Sequence, residues 1–340
     1  MSRDDDKARV ANIFDVARLA GVSHQTVSRV LNDLPNVRPA TRQRVEQAIR
    51  QLRYVPSPAA RALVTRRSRT IGLIMAGHPD YGPSSAALNF NEAAREARYA
   101  VSMASMLQTD ATTLRSAADM LLRQNVEALV LISPERQAIE ALQSLELGVP
   151  LIAVAAIPDG RGHRVALDQY AGARAAVEHL IALGHREIRH LGGPASSTEA
   201  AERLRGWRDA LADHGLVARE PVVGDWQPAS GFRLGAALAA EGGFTAVFAA
   251  NDQMALGLIA ALNAAGLRVP GDVSVVGFDD IPEAEFFAPP LTTMRQDFDG
   301  LGRDIMSTVL DVLRDEQAPD HRARVPTLVR RGSAAPPPAA

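Results

Sequence analysis

The sequence contains no cysteine. This absence excludes disulfide bonds, cysteine-ligated zinc and thiol nucleophiles. No apolar run approaches the roughly 20 residues that a membrane-spanning helix requires. The first residues, MSRDDDKARVAN, are charged and lack the apolar stretch of a secretory signal. We therefore expect a cytoplasmic protein that makes no contact with a membrane.

Common catalytic signatures are also missing. The sequence has no Gly-x-Ser-x-Gly elbow, no phosphate-binding glycine loop ending in Lys-Ser or Lys-Thr, and no His-Glu-x-x-His pair. The eight histidines are scattered, and His185 and His190 lack the spacing of metal ligands on a helix. We expect a protein that is not an enzyme and that uses no catalytic residue, no metal and no cofactor.

Charge is distributed unevenly along the 340 residues. Residues 12–68 contain ten arginines and only three acids, a balance of +7, so the rest of the chain carries −9 of the total of −2. A chain of this length suits a small module followed by a larger body of two lobes. A basic module on an acidic body is typical of proteins that bind DNA through one end only.

Three short segments near the N-terminus show helical periodicity. Asn12 is placed to cap the first helix, which Gly21 ends, and Ser23 is placed to cap the second. A third helix starts at Pro39. Two short helices joined by a tight glycine turn predict a helix-turn-helix. The apolar faces of the three helices consist of Ile13, Val16, Ala17 and Ala20, then Val27, Val30 and Leu31, then Val45, Ala48, Ile49 and Leu52.

The second helix carries polar side chains suited to reading DNA bases. His24 and Gln25 lie in its first turn, and Arg29 lies one turn further on the same side. Arginine pairs with guanine and glutamine with adenine through two hydrogen bonds in the major groove. We therefore predict that these three residues contact bases.

The N-terminal segments DVARLAGVSHQTVSRVLN (residues 15–32) and VRPATRQRVEQAIRQLRYVP (residues 37–56) closely resemble the signature of the lac repressor (LacI/GalR) family. The resemblance implies a helix-turn-helix domain over residues 12–57 and a dimer on pseudo-palindromic operator DNA. It also implies a set of phosphate contacts, which fix register without reading sequence, at Ser23, Thr26, Ser28, Asn32 and Asn36.

The same resemblance implies a hinge over residues 58–69 that folds on the operator. Ala60 and Leu63 match the hinge residues of the family, where the leucine wedges into a minor-groove step and kinks the DNA. Ser57 followed by Pro58 departs from the asparagine that is common at this point in the family. Proline is tolerated in a first helical turn, so we still expect a hinge helix.

From Thr70 onward, strand-like runs such as TIGLIMA and EALVLI alternate with helical segments. This alternation predicts doubly wound α/β layers with parallel sheets. The stretch from Val149 to about Leu328 resembles the sugar-binding core of the family. The resemblance implies a periplasmic-binding-protein-like body for effector binding and dimerisation over residues 70–332, with an N-lobe of about 70–167 plus 298–325 and a C-lobe of about 168–297. Residues 333–340 are expected to be a disordered tail.

Polar residues at strand ends predict an effector cleft between the lobes. Arg203 matches the family arginine that clamps sugar hydroxyls, and Trp226 can lie against the C–H face of a pyranose. A polar turn over Tyr81–Ser85, including Ser84, is expected to offer amides to the ligand. Ala155 stands where the lac repressor has an aspartate that contacts the sugar. The remaining candidates are Asn251, Asp279 and Gln296 at strand ends, with Leu167 and Phe278 as apolar walls.

The sequence thus predicts a sequence-specific transcriptional repressor that a sugar releases from its operator. One alternative is the same regulator with a nucleobase corepressor, although Arg203, Trp226 and Asp279 together favour a polyhydroxylated ligand. Another is a cytoplasmic solute-binding protein, against which the helix-turn-helix argues. After Val329 the chain has no leucine heptads, and its prolines prevent a coiled coil, so we expect a dimer and not a tetramer.

Overall fold

The computed structural model describes residues 11–31, 34–54, 67–156, 163–316 and 323–338. The chain divides into two compact units, a head over residues 1–68 and a body over residues 69–340. Among the described residues, no helix combines the length and the apolar character needed to cross a membrane.

The head contains three helices, α1 (Ile13–Ala20), α2 (His24–Leu31) and α3 (Pro39–Leu52). Asn12 caps α1 by accepting from the amides of Phe14 and Asp15, and the Asp15 carboxylate accepts from the Asn12 amide in return. Gly21 ends α1 in the left-handed region at φ 63°, where glycine is favoured. The Ser23 hydroxyl then accepts from the Thr26 amide and caps α2. The buried core of the head consists of Val16, Ala17, Ala20, Val27, Val30, Val45 and Ala48.

The first sheet of the body is parallel and has five strands, in the order β2 (Ala100–Met106), β1 (Thr70–Ala76), β3 (Ala128–Ile132), β4 (Leu151–Val154) and β5 (His163–Val165). Every side chain of the central strand β3 is buried, as a strand covered by helices on both faces requires. Together with the helices around it, this sheet forms the N-lobe. Its elements are β1 (Thr70–Ala76), α4 (Tyr81–Glu96), β2 (Ala100–Met106), α5 (Ala111–Leu122), β3 (Ala128–Ile132), α6 (Arg136–Gln143), β4 (Leu151–Val154) and β5 (His163–Val165).

The second sheet is also parallel, with strand order β7-β6-β8-β9, and forms the C-lobe. A short antiparallel pair, β10 and β11, lies in a separate two-stranded sheet. The elements are α7 (Gln169–Ala182), β6 (Ile188–Gly192), α8 (Thr198–Asp213), β7 (Val222–Val223), α9 (Pro228–Glu241), β8 (Ala246–Ala249), α10 (Asp252–Ala264), β9 (Ser274–Val276), a 3₁₀ turn (Pro282–Phe286) and β10 (Thr293–Arg295), then α11 (Phe298–Leu313) and β11 (Thr327–Val329).

The chain returns to the N-lobe after the C-lobe. The apolar face of α11, with Phe298, Leu301 and Ile305, is buried in the same core cluster as residues of β1, β3 and α4. The segments that connect the lobes also contact one another. The Asp168 amide donates to the Arg324 carbonyl over 2.9 Å. The predicted class, a helical head and a two-lobed α/β body with parallel sheets, is confirmed.

The C-terminal segment corrects one expectation. Composition suggests a disordered tail from residue 333, yet residues 333–338 lie along the C-lobe. The Ser333 hydroxyl donates to the Val275 carbonyl over 2.6 Å and accepts from the Thr292 amide over 2.8 Å. The Ala335 carbonyl accepts from Ser274 and contacts the His185 ring. These bonds fix a proline-rich segment that has no periodicity of its own.

Candidate functional site

In the head, α2 presents a polar face opposite its buried one. Val27 and Val30 are buried, whereas His24, Gln25 and Arg29 are exposed. The three predicted base-contacting side chains therefore share the solvent side of the helix. The His24 ring also contacts Phe14 at 5.2 Å between centroids. Phe14 is 60% exposed, and the sequence reasoning did not single it out.

The predicted phosphate contacts fall at the edges of the same helix. The Ser23 and Thr26 hydroxyls lie 3.0 Å apart and bond to each other, so both stand at the start of α2. Ser28 is partly buried, and Asn36 is exposed with φ 70°. Asn32, Ala60 and Leu63 lie outside the described residues, as does most of the predicted hinge.

In the body, a cleft enclosing about 750 Å³, part of it open solvent, lies between the lobes. The N-lobe contributes Asp80, Tyr81 and Ser133 among others, and the C-lobe contributes most of the polar residues. Six of the eight predicted effector residues line it: Leu167, Arg203, Trp226, Asn251, Asp279 and Gln296.

Arg203, on α8, belongs to a closed ring of buried polar side chains. Its Nε donates to Gln169 Oε1 over 2.9 Å, and the Gln169 amide donates to Gln296 Oε1 over 2.8 Å. Gln296 in turn donates to Asp279 Oδ1 over 2.7 Å, and that oxygen lies 3.5 Å from Arg203 Nη2. Such a satisfied network fixes each side chain and is costly to break.

Asp279 follows β9 in an unusual backbone conformation. Its φ of 113° lies in a region that favours glycine, and Asp280 after it has φ 57°. Both ring contacts use Oδ1, so Oδ2 has no hydrogen-bond partner among the described residues and can accept from a ligand. Burial raises the pKa of Asp279 to about 6, although Arg203 and Gln296 act to lower it.

Trp226 is partly buried and stands against the same arginine. Its backbone is left-handed at φ 72°, and the Arg203 guanidinium lies 5.5 Å from its ring centroid. The ring occupies the space beside Gly193, where a β-carbon would come within 2.2 Å of it. The Asn251 amide donates to the Trp226 carbonyl over 3.0 Å, and its Oδ1 caps α10. Asn251 therefore lines the cleft with its side chain already engaged on both sides.

Two predicted effector residues are not among the cleft-lining side chains. Phe278 is fully buried and lies under Arg203, with the guanidinium 4.0 Å from its ring centroid, so it supports the arginine and is not a wall of the cleft. The segment Tyr81–Ser85 is the first turn of α4 and not a turn before it, and the helical spacing turns Ser84 away while Tyr81, Gly82 and Pro83 line the cleft. Ala155 lines the cleft beside Ala156.

Ser133, Ser197 and three further polar residues line the cleft and were missed from the sequence. Gln169 completes the ring, Glu199 is the second residue of α8, and Asp80 precedes α4. The Asp80 carboxylate accepts from Gln227 over 2.9 Å and so links the two lobes, and burial raises its pKa. All three flank a helix start, a signal that could have found them. The described part of the chain has no group of three or more side chains arranged to hold a metal ion.

The chain resembles known regulators along most of its length. Residues 12–57 match the family described as bacterial regulatory proteins, lacI family, and residues 177–334 match the periplasmic binding protein-like domain. Over 321 residues it is 34% identical to the lactose operon repressor of Escherichia coli K12, covering 94% of this chain and 89% of that protein. The chain belongs to the lacI family.

Other relatives of this lacI-family chain agree. It is 35% identical to the HTH-type transcriptional regulator CelR of Thermobifida fusca, over 92% of this chain and 94% of that protein. It is 32% identical to the HTH-type transcriptional repressor PurR of Actinobacillus pleuropneumoniae serotype 3, over 90% of this chain and 92% of that protein. These relatives are named as regulators and not as enzymes.

Solved structures give the same result. A lac repressor dimer bound to operator and the anti-inducer ONPF matches with a TM-score of 0.87 at 33% identity, covering 96% of this chain and 100% of that one. A CelR–cellobiose complex matches with a TM-score of 0.71 at 31% identity, over 95% and 99% of the two chains. The predicted family and the predicted function of a DNA-binding transcriptional regulator are confirmed.

Proposed function

We propose that this chain is a dimeric repressor whose operator complex is weakened when a sugar-like effector occupies the cleft between the lobes. The observation that carries the choice of ligand is the Arg203–Gln169–Gln296–Asp279 ring beside Trp226. Fixed donors and acceptors next to an aromatic face suit a molecule with hydroxyls on its edges and C–H groups on its faces.

The position of the cleft allows a ligand to act on DNA binding. A ligand changes DNA affinity only if it binds two conformations of the body unequally. The Arg203 ring belongs to the C-lobe and Tyr81 belongs to the N-lobe, so a bound effector fixes the relation between them. The Asp80–Gln227 hydrogen bond already joins the lobes beside the cleft. We expect induction because the resemblance to the lactose operon repressor extends through both lobes.

For the dimer, the support comes from apolar side chains left on the surface of the body. Leu88 of α4 is 70% exposed and Phe286 is 78% exposed, and Phe232 and Leu256 lie on the packed helices α9 and α10. The solved lac repressor to which this chain is similar is described as a dimer on operator. A two-fold dimer requires a pseudo-palindromic operator.

A nucleobase is the second candidate for the effector. The similarity to the repressors named PurR favours it, and the face of Trp226 could stack on a purine as well as on a sugar. Thermal melts with sugars and purines would separate the two, since a ligand at 100 times its Kd adds about 2.7 kcal/mol of stability. Stabilisation by purines alone would replace the sugar in this proposal.

The DNA-binding part is tested with an operator selected from random DNA. Arg29→Ala should weaken binding to the selected operator by about 1–3 kcal/mol, because a guanine contact is lost, and should leave binding to random DNA nearly unchanged. Fluorescence anisotropy at fixed salt measures both, and Arg50→Ala on α3 is the matched exposed control. Equal losses on operator and random DNA in Arg29→Ala would mean that Arg29 contacts phosphate and not a base.

A further inference from the structure

Acidic side chains outnumber basic ones among the described residues that line the cleft. The charged residues are three acids, Asp80, Glu199 and Asp279, and one base, Arg203. Arg203 and Asp279 face each other at 3.5 Å and offset each other. Asp80 and Glu199 therefore leave the described lining with an excess of negative charge.

Arg203 is not free to receive an anion. Its Nε is engaged by Gln169, its Nη1 donates to the Ala250 carbonyl and its Nη2 faces Asp279. The guanidinium is also held between the rings of Phe278 and Trp226. An anionic ligand would have to draw this group away from partners that already satisfy it, and such buried networks resist partial disruption.

Glu199 lies where α8 begins, and a bond between the lobes holds this turn in place. The Thr198 amide donates to the Pro134 carbonyl over 2.8 Å, which ties the start of the helix to the N-lobe. The Ser197 and Thr198 hydroxyls both donate to the same carboxylate oxygen, Oε2, over 3.2 and 3.0 Å. Within the described chain, no side-chain hydrogen bond reaches Oε1 and no arginine lies within ion-pair distance of Glu199.

This arrangement leaves an acceptor in the cleft without a cation. Burial raises the pKa of the Glu199 carboxyl, as expected for a carboxylate that lacks a close positive partner. The Glu199 backbone amide also bonds to the carboxylate, but no side chain of the described residues donates to Oε1, and a ligand hydroxyl or ammonium group would supply that donor. A phosphate or carboxylate on the ligand would meet like charge from the Glu199 and Asp80 carboxylates.

We propose that Glu199 is a specificity-determining residue: it restricts the cleft to effectors that are uncharged or carry an ammonium group and excludes sugar phosphates and sugar acids. This inference rests on the proposed function, in which the cleft takes a sugar-like effector. It names the ligand class by charge, which the family resemblance leaves open.

A first experiment needs no effector, because Trp226 reports on the cleft. The only other tryptophan, Trp207, is fully buried, so ionic quenchers act on Trp226. At constant ionic strength we expect caesium to quench wild-type fluorescence more strongly than iodide, relative to a free tryptophan amide. Glu199→Gln should lower the caesium-to-iodide ratio of quenching constants at least twofold. The control Glu202→Gln, on the same helix but outside the cleft lining, should leave the ratio unchanged.

A second experiment compares matched sugars by calorimetry: glucose, glucosamine and glucose 6-phosphate, and the corresponding galactose set. We expect each phosphate to bind at least tenfold more weakly than its parent sugar. In Glu199→Gln the ratio of the two dissociation constants should be smaller. A phosphate that binds as tightly as its parent, or a quenching ratio that Glu199→Gln and Glu202→Gln change equally, overturns the inference. If none of these sugars binds, the quenching ratio alone decides whether Glu199 gives the cleft its negative charge. Failure of the proposed function would instead appear as loss of operator binding or of ligand response with the quenching ratio as expected.

Discussion

At the scale of single residues, Asp279 joins backbone strain to electrostatics. Its positive φ places the carboxylate beside Arg203, and its partner Gln296 comes from a segment 17 residues further along the chain. Asp279 is only 6% exposed, so burial raises the free energy of its charged form even though an arginine lies beside it. The sequence shows that an acid follows β9. It does not show the positive φ of this residue or its contacts with Arg203 and Gln296.

The raised pKa of Asp279 predicts a pH dependence of stability. A native pKa of about 6, above the model-peptide value of 3.8, means that the folded state binds the proton more tightly than the unfolded state. Stability from this group therefore increases as pH falls from 7 through 6 towards 4, by about 3 kcal/mol at most. Urea unfolding of wild type and Asp279→Asn between pH 4.5 and 7.5 measures the difference, which also includes a smaller change at the buried Asp252, because the charge of Asp279 helps to raise the pKa of Asp252. Identical pH slopes in the two proteins would contradict the assignment.

At the scale of elements, the head was readable from sequence because its signals are local. Asn12, Gly21, Ser23 and Pro39 each act within one helical turn, and the buried residues recur with helical spacing. The strands of the body were readable as well, since β3 is an uninterrupted apolar run. Patterns of this kind need no knowledge of distant contacts.

The errors lie where distant parts of the chain determine the local structure. Residues 333–338 are ordered by Val275, Thr292 and Ser274, which no local pattern reveals. Gln169 and Gln296 are separated by 127 residues, and only the fold brings their amides together. Phe278 was predicted to be an apolar wall of the cleft, but it is buried beneath the Arg203 guanidinium, a position that depends on how α7 and α8 pack.

Gly193, which directly follows β6, gives a prediction at the scale of elements. Gly193→Ala should weaken effector binding at least tenfold, because the new β-carbon would come within 2.2 Å of the Trp226 ring and displace it. Gly192→Ala is the control, since its β-carbon would meet the nearest atom at 3.4 Å. Calorimetry with the best-binding sugar measures both affinities, and thermal melts verify that both variants fold. Equal affinities would remove Trp226 from the ligand site.

At the scale of the whole molecule, we expect the functional unit to contain two copies of the chain. Light scattering at micromolar concentration should give twice the 36.3 kDa of one chain, because exposed apolar residues of the body are buried between copies. Phe232→Glu together with Leu256→Glu should shift the mass towards that of one chain and weaken operator binding, while Val217→Glu, an exposed apolar residue outside these helices, should change neither. A tetramer, or a wild-type monomer that binds operator fully, would be inconsistent with the proposed dimer.

We expect occupation of the cleft by an effector to change the affinity of the head for DNA. The most direct test is an anisotropy titration of the selected operator, with and without a saturating effector, for wild type, Arg203→Ala and Trp226→Ala. For wild type we predict a 5- to 150-fold loss of operator affinity, a coupling of about 1–3 kcal/mol. Without effector, both variants should bind operator as tightly as wild type does, and both should lose the response to effector. Trp226→Ala leaves no buried charge unpaired, so it keeps the test valid if Arg203→Ala does not fold. If the effector binds wild type by calorimetry but leaves its operator affinity unchanged, this expectation is wrong, and if the effector tightens the operator complex, the protein is corepressed and not induced.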